Sequence, residues 1–255
     1  MKALILAAGY ATRLRPLTDT WAKPLLPVGG RPIVDWIVDG ISKVDAIDEI
    51  QLVTNARYAP AFRDWAVTRG VVVHDDETTS NDDRRGAIGD LAFVLERCGV
   101  DEDWLVIAGD NLFEFSLSEL VSFWGEHGIA SAVAARDVES RELATHYGIL
   151  ALAADGRIED FVEKPADPPS TLAATATYVF HRTHLELVAR YLADGNSPDQ
   201  PGRFVAWLQA REPVFAWLFE EPWYDIGDRQ QLLDADNHLR AAHGLPLRTG
   251  YTPSG

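Results

Sequence analysis

The chain has 255 residues, 47% hydrophobic and 24% charged, with a formal net charge of −16 and a single cysteine. That size allows one large α/β domain with an ample core, and the acidity argues against nonspecific nucleic-acid binding, which needs a basic surface. No apolar run approaches the ~20 residues of a membrane span, and lone Cys98 excludes an internal disulfide and suits a reducing cytosol. Met1 and Lys2 lead straight into an apolar run and leave no room for a signal peptide, so the expected compartment is the cytoplasm.

In chain order, apolar runs predict strands over residues 3–7, 49–54, 70–74 and 104–108. Ile33, Ile37, Ile41 and Val44 share one face of a helix between the first two. Further helices are predicted over 59–68 and 86–98. This alternation implies a Rossmann-like, mostly parallel sheet flanked by helices, with ligands bound outside the carboxyl ends of its strands. After about residue 130 the rhythm changes to short strands over 130–136, 148–152, 157–162 and 174–180, with an Asp155-Gly156 hairpin signal. Helices over 183–192 and 203–209, a strand over 214–219 and a helix over 229–242 follow. The organisation expected is one domain, 1–243, in two halves (about 1–130 and about 131–228), with a loose tail, 244–255.

The richest segment is LAAGYATRLRPLTDTWAKPLLPVGGRP, residues 6–32. A strand empties into a Gly-containing loop with Arg13 and Lys23, while Pro16, Pro24, Pro27 and Pro32 stiffen the path. Such a loop offers backbone N–H groups and cations to phosphate oxygens. It is not a P-loop, because GxxxxGK[ST] is absent. Two carboxylates end apolar stretches elsewhere: Asp110 after 105–109, and Asp225 in Trp223-Tyr224-Asp225-Ile226-Gly227-Asp228. Either could hold Mg²⁺, which takes one or two carboxylates plus substrate phosphates. Asp228 reads instead as the N-cap of the last helix.

The loop closely resembles the signature of the sugar-1-phosphate nucleotidylyltransferases, GxGTRLxPLT followed by PKxLLPV. It departs at Ala11, where the family has Gly, and at Ala22, where it often has Pro. Gly109-Asp110-Asn111 and Trp223-Tyr224-Asp225 resemble the family's two metal carboxylate segments, and Phe161-Val162-Glu163-Lys164-Pro165 its EKP motif. Tyr147-Gly148 matches a YG pair against the sugar, and Thr175-Ala176-Thr177-Tyr178 stands for TGxY, with Ala176 replacing Gly. The resemblance covers nearly the whole chain and implies the nucleotide-diphospho-sugar transferase (GT-A-like) fold.

It also implies Mg²⁺-dependent transfer from an NTP to a sugar 1-phosphate, giving NDP-sugar and pyrophosphate. By implication Arg13 serves the pyrophosphate side and Lys23 the α-phosphate, while Asp110 and Asp225 hold Mg²⁺. Leu6, Ala8, Gly9, Asn81, Asp82 and Gly86 would bind the nucleotide; Asn111, Tyr147, Gly148, Glu163, Lys164 and Tyr178 the acceptor. Related thymidylyltransferases read the base with a Gln that has no counterpart in 76–90, so base identity stays open beyond a preference for a pyrimidine, dTTP or UTP. The partners expected are NTP and sugar 1-phosphate, with neither nucleic acid nor membrane, and the resemblance allows a homo-oligomer. Two rivals remain: a cytidylyltransferase acting on a non-sugar phosphate such as phosphocholine, and a non-catalytic nucleotide-sugar sensor.

Overall fold

Strand β1 (Lys2–Leu6) is apolar after its first residue because both of its faces are covered in the computed structural model, which describes residues 1–253. Ala3 and Ile5 enter one buried cluster while Leu4 enters the cluster on the opposite side of the sheet. A short hairpin, β2 (Pro27–Val28) and β3 (Arg31–Pro32), precedes helix α1 (Ile33–Ile41). Then come β4 (Glu49–Thr54), α2 (Ala59–Ala66), β5 (Val71–Asp75), α3 (Ala87–Cys98), β6 (Trp104–Ala108), β7 (Asn111–Phe113) and α4 (Leu117–Gly125). The second half runs β8 (Ser131–Asp137), α5 (Arg141–Ala144), β9 (Gly148–Leu152), β10 (Ile158–Glu163), β11 (Leu172–Phe180), α6 (Arg182–Leu185) and α7 (Leu187–Ala193). It closes with α8 (Pro201–Gln209), β12 (Val214–Leu218), β13 (Trp223–Asp225) and α9 (Arg229–Ala242).

Nine strands form one sheet in the order β10-β9-β11-β6-β1-β4-β5, with β8 joining β11 to β12. The pairs β1–β4, β1–β6 and β4–β5 are parallel, whereas β11 runs antiparallel to β6, β8 and β9. This is the mixed, largely parallel sheet with helices on both faces that the alternation predicts. Strand β11 changes register between Ala174 and Tyr178, and Ala176 at that break has a φ of 52°.

The predicted strands and helices are found within a residue or two except one, and the structure adds β2, β3, β7, α4, α5 and β13, which the sequence analysis does not predict. The single helix expected over 183–192 is two, α6 and α7, meeting at Glu186. Helix α4, unassigned from the sequence, starts at Ser116, whose side chain accepts from the Glu119 N–H. The segment after Gly244, expected to be loose, is pinned: Asn237 exchanges two hydrogen bonds with Arg248, and the Tyr251 hydroxyl donates to Pro27 O at 2.8 Å. Positions 254 and 255 of that tail lie outside the described residues. Asp228 caps α9 as expected, in a capping box with Gln231.

Candidate active site

The loop after β1 is anchored before it reaches its cations. Ala7 N–H donates to Val53 O, Asn55 Nδ2 to Ala8 O, and Thr18 Oγ1 to Ala11 O. Ala11 is left-handed, with φ 45° and ψ 46°. Both alanines that replace family glycines thus keep a backbone that favours glycine, at a cost of about 1 kcal/mol each. Three short 3₁₀ turns carry the path to Lys23, whose side chain is only 9% exposed and whose Nζ donates to Asp110 Oδ2 at 2.6 Å. Gly109 permits that meeting: a Cβ there would lie 2.9 Å from Leu6 O and 3.2 Å from Pro24 Cγ.

Asp225 reaches the same place through a ribbon the sequence did not disclose. Strands β7 and β13 pair antiparallel with Asn111 opposite Asp225, which sets Asp225 beside the residue after Asp110. Burial raises the Asp225 pKa and the Asp110 charge raises it further, while Lys23, Arg13 and Lys164 oppose the shift. The Arg13 guanidinium lies against Gly227, where an added Cβ would come within 3.2 Å of it. Two mutually repelling carboxylates at a cation-lined cleft fit a divalent ion. No three or more carboxylate, His or Cys side chains are placed to hold a metal ion among the described residues, so phosphate and water would have to complete the shell, as suits Mg²⁺. Asn111 is engaged in the scaffold: its Nδ2 donates to Thr175 O and its Oδ1 accepts from Trp223 Nε1 at 3.3 Å.

Of the residues expected at the acceptor, Gly148, Lys164 and Tyr178 gather around Glu163, whereas Asn111 is held by Thr175 and Trp223. Gly148 stands opposite it in the β9–β10 ladder, and a Cβ at Gly148 would lie 2.5 Å from Phe161 Cζ and 3.1 Å from Glu163 Oε2. Gly202, in the first turn of α8 and not singled out by sequence, closes the other side, its would-be Cβ 2.6 Å from the same Oε2. Burial raises the Glu163 pKa, and Lys164 and Arg203 pull it back. Lys164 is exposed, left-handed (φ 48°), and tied by its N–H to Tyr147 O. The Tyr147 ring sits 5.1 Å from that of Trp223. Tyr178 is buried, and its phenol pKa is raised by burial and then by Glu163.

Leu6, Ala8, Gly9, Arg13, Lys23, Gly86 and Asp110 line one cleft of about 310 Å³. Asn81 and Asp82, expected to read a base, do not line it; they stand on an exposed loop held by Asp83, which accepts from the N–H groups of Thr79 and Ser80. The residues there instead are Arg84, Asp90, Asp199 and Pro201. Arg84 and Asp199 pair through two hydrogen bonds of 3.2 and 3.0 Å. Asp90 is 5% exposed and hydrogen-bonded to Asp76, itself 1% exposed; burial, then the Asp76 charge, raise the Asp90 pKa to about 8. A larger hollow of about 410 Å³ beside α1 holds Arg31 and Arg69, already paired with Asp39 and Asp35, and lies apart from these groups.

A protein-family model described as nucleotidyl transferase matches residues 2–242. The bifunctional protein GlmU of Methanocaldococcus jannaschii is 26% identical over 242 residues, covering 94% of this chain and 54% of that protein. The chain therefore spans about half the length of this curated relative. A solved structure described as a glucose-1-phosphate thymidylyltransferase from Bacillus anthracis, in complex with sucrose, superposes with a TM-score of 0.83 at 21% identity, covering 94% of this chain and 95% of that one. A UDP-glucose pyrophosphorylase complexed with UDP-glucose gives 0.80 at 22% identity, covering 94% and 98%. These two likenesses establish the fold, that of the nucleotide-diphospho-sugar transferases.

Proposed function

The chain belongs to the nucleotidyl transferase family, and on that premise we propose that it transfers a nucleotidyl group from an NTP, by preference dTTP or UTP, to a sugar 1-phosphate. The observation that carries this reading is that Lys23, Asp110 and Arg13 line one cleft with the Asp225 carboxylate within reach of their charges, while Glu163 lies between two glycines. An oxygen of the sugar phosphate attacks the α-phosphorus, the bond to the β-phosphate oxygen breaks, and pyrophosphate leaves. The attacking phosphate is already anionic near neutral pH, so positioning and charge stabilisation carry the catalysis.

Lys23 meets the α-phosphate from a nearly buried position, and Arg13 neutralises the departing pyrophosphate. Lys164 holds the attacking phosphate, and Glu163 accepts from sugar hydroxyls. Asp110 and Asp225 would hold Mg²⁺, which when bound supplies neutralisation of phosphate charge. Between turnovers the Lys23–Asp110 pair, 2.6 Å apart, keeps both groups in place.

The test is pyrophosphate release, with Mg²⁺, over ATP, GTP, CTP, UTP and dTTP against several sugar 1-phosphates and phosphocholine. Signal confined to one pyrimidine nucleotide and one sugar 1-phosphate is expected. Signal with phosphocholine alone, or nucleotide binding with no turnover, would overturn the reading.

A further inference from the structure

The base end of the cleft holds an acid pair that the reaction above leaves unused. Arg13, Lys23 and Asp110 take the phosphate end, so the base falls at the other, against Leu6, Ala8, Gly86 and Ala87. Helix α3 opens there, but two amides of its first turn are occupied: Ile88 N–H donates to Pro198 O at 2.8 Å and Ala87 N–H to Asp199 O at 3.4 Å. The side chains that line this end with hydrogen-bonding capacity are Asp90 and the Arg84–Asp199 pair.

The chemistry of Asp90 follows from its neighbour. Asp76 Oδ1 accepts from Thr78 N–H at 2.7 Å and Thr78 Oγ1 at 2.8 Å, and Thr78 Oγ1 in turn meets the Tyr10 hydroxyl of the signature loop at 3.4 Å. Asp76 Oδ2 and Asp90 Oδ1 are buried without an N–H or hydroxyl donor from any other group. Two carboxyls that hydrogen-bond each other must share a proton, and Asp76, stabilised by two donors, is the better anion. Asp90 therefore keeps the proton, donates it to Asp76, and retains a carbonyl-type oxygen as an acceptor. Arg84 uses three N–H groups on Asp199 and Asn81 O; a guanidinium has five.

We propose that Asp90 and Arg84 read the imide edge of uracil or thymine, Asp90 accepting from the ring N3–H and Arg84 donating to a flanking carbonyl. An edge with one N–H between two carbonyls matches one acceptor beside a donor, whereas cytosine would set its N3 lone pair against the Asp90 oxygen and leave that acceptor unpaired. Asp76 is the positioning residue. The proposal rests on the nucleotidyl transfer reading, but its test does not need turnover.

Titration calorimetry of wild type, Asp90→Leu and Asp90→Asn would use UTP, N3-methyl-UTP, CTP and inorganic tripolyphosphate. Wild type should bind UTP roughly tenfold or more tighter than N3-methyl-UTP or CTP, the effect of one unpaired buried polar group. Asp90→Leu should bring UTP down to the CTP level and leave tripolyphosphate unchanged. Asp90→Asn should stay within about threefold of wild type, because its amide donates to Asp76 and its carbonyl remains an acceptor. Equal wild-type affinity for UTP and N3-methyl-UTP overturns the proposal even if Asp90→Leu fails to fold. So does a loss in Asp90→Leu shared equally by tripolyphosphate. UTP selectivity without pyrophosphate release would sink the transfer reading and leave this one standing.

Discussion

Gly202 offers the sharpest test of how the acceptor site is built. Replacing it with alanine puts a Cβ 2.5 Å from Phe161 Cζ and 2.6 Å from Glu163 Oε2, where ordinary contact starts at 3.4 Å. The ring would have to withdraw by about 0.9 Å, and Phe161 is 5% exposed with Gly148 on its other side. Overpacking of this kind costs about 1–3 kcal/mol, offset by less than ~1 kcal/mol of helix propensity gained over glycine. The expected net loss is about 1–2 kcal/mol, read as a lower urea midpoint at constant m. Glu163 is displaced with the ring, so KM for the sugar 1-phosphate should rise while KM for the nucleotide holds. Gly125→Ala, at the end of α4 with nothing within 4 Å of the new methyl, is the control that carries the propensity gain without the clash. A Gly202→Ala protein as stable as wild type, with an unchanged acceptor KM, would refute the packing argument.

Asp225→Asn should lower kcat by roughly a hundredfold or more, since it removes a group that holds charge at the reacting phosphates. The same change should raise the metal-free melting temperature, because burial and the Asp110 charge both disfavour the Asp225 carboxylate; a lower melting temperature would contradict that assignment. Asp90 sets a pH dependence. Its folded pKa lies above the unfolded value, so its contribution is complete below the ordinary carboxylate range and is lost as pH rises toward about 8. Between about pH 5 and pH 8 the wild type should lose stability relative to Asp90→Asn, and parallel stability curves would rule this out. Tyr251→Phe deletes the bond to Pro27 O and should cost about 1 kcal/mol, measured by denaturant titration; no change would show that this bond adds nothing.

Much of this architecture could be read from local pattern. β4, β6, β9 and α9 match their expected bounds, because unbroken apolar runs and a capped amphipathic helix are local signals that burial on a two-faced sheet reinforces. Glu119 three residues after Ser116 was a cue to α4, but the cap alone did not separate a helix from a loop. The split of 183–192 into α6 and α7 had no Gly or Pro to mark it.

Motif residues were legible because their chemistry is carried by type and order: a Gly-turn with Arg13 and Lys23, Asp110 after a buried strand, Asp225 among aromatics. Their convergence was not. The three-residue ladder of β7 with β13 joins positions more than a hundred apart in sequence, and nothing local to either segment names its partner. Gly202 became visible only once α8 packed on β10, and the Asp76–Asp90 pair only once α3 lay beside the end of β5. Sequence by itself determined which groups could handle phosphate and metal, since that depends on side-chain identity. Tertiary structure alone decided which carboxylates share a proton, which amides are already occupied and which polar groups face the cleft, because burial and pairing arise only when distant segments exclude water together.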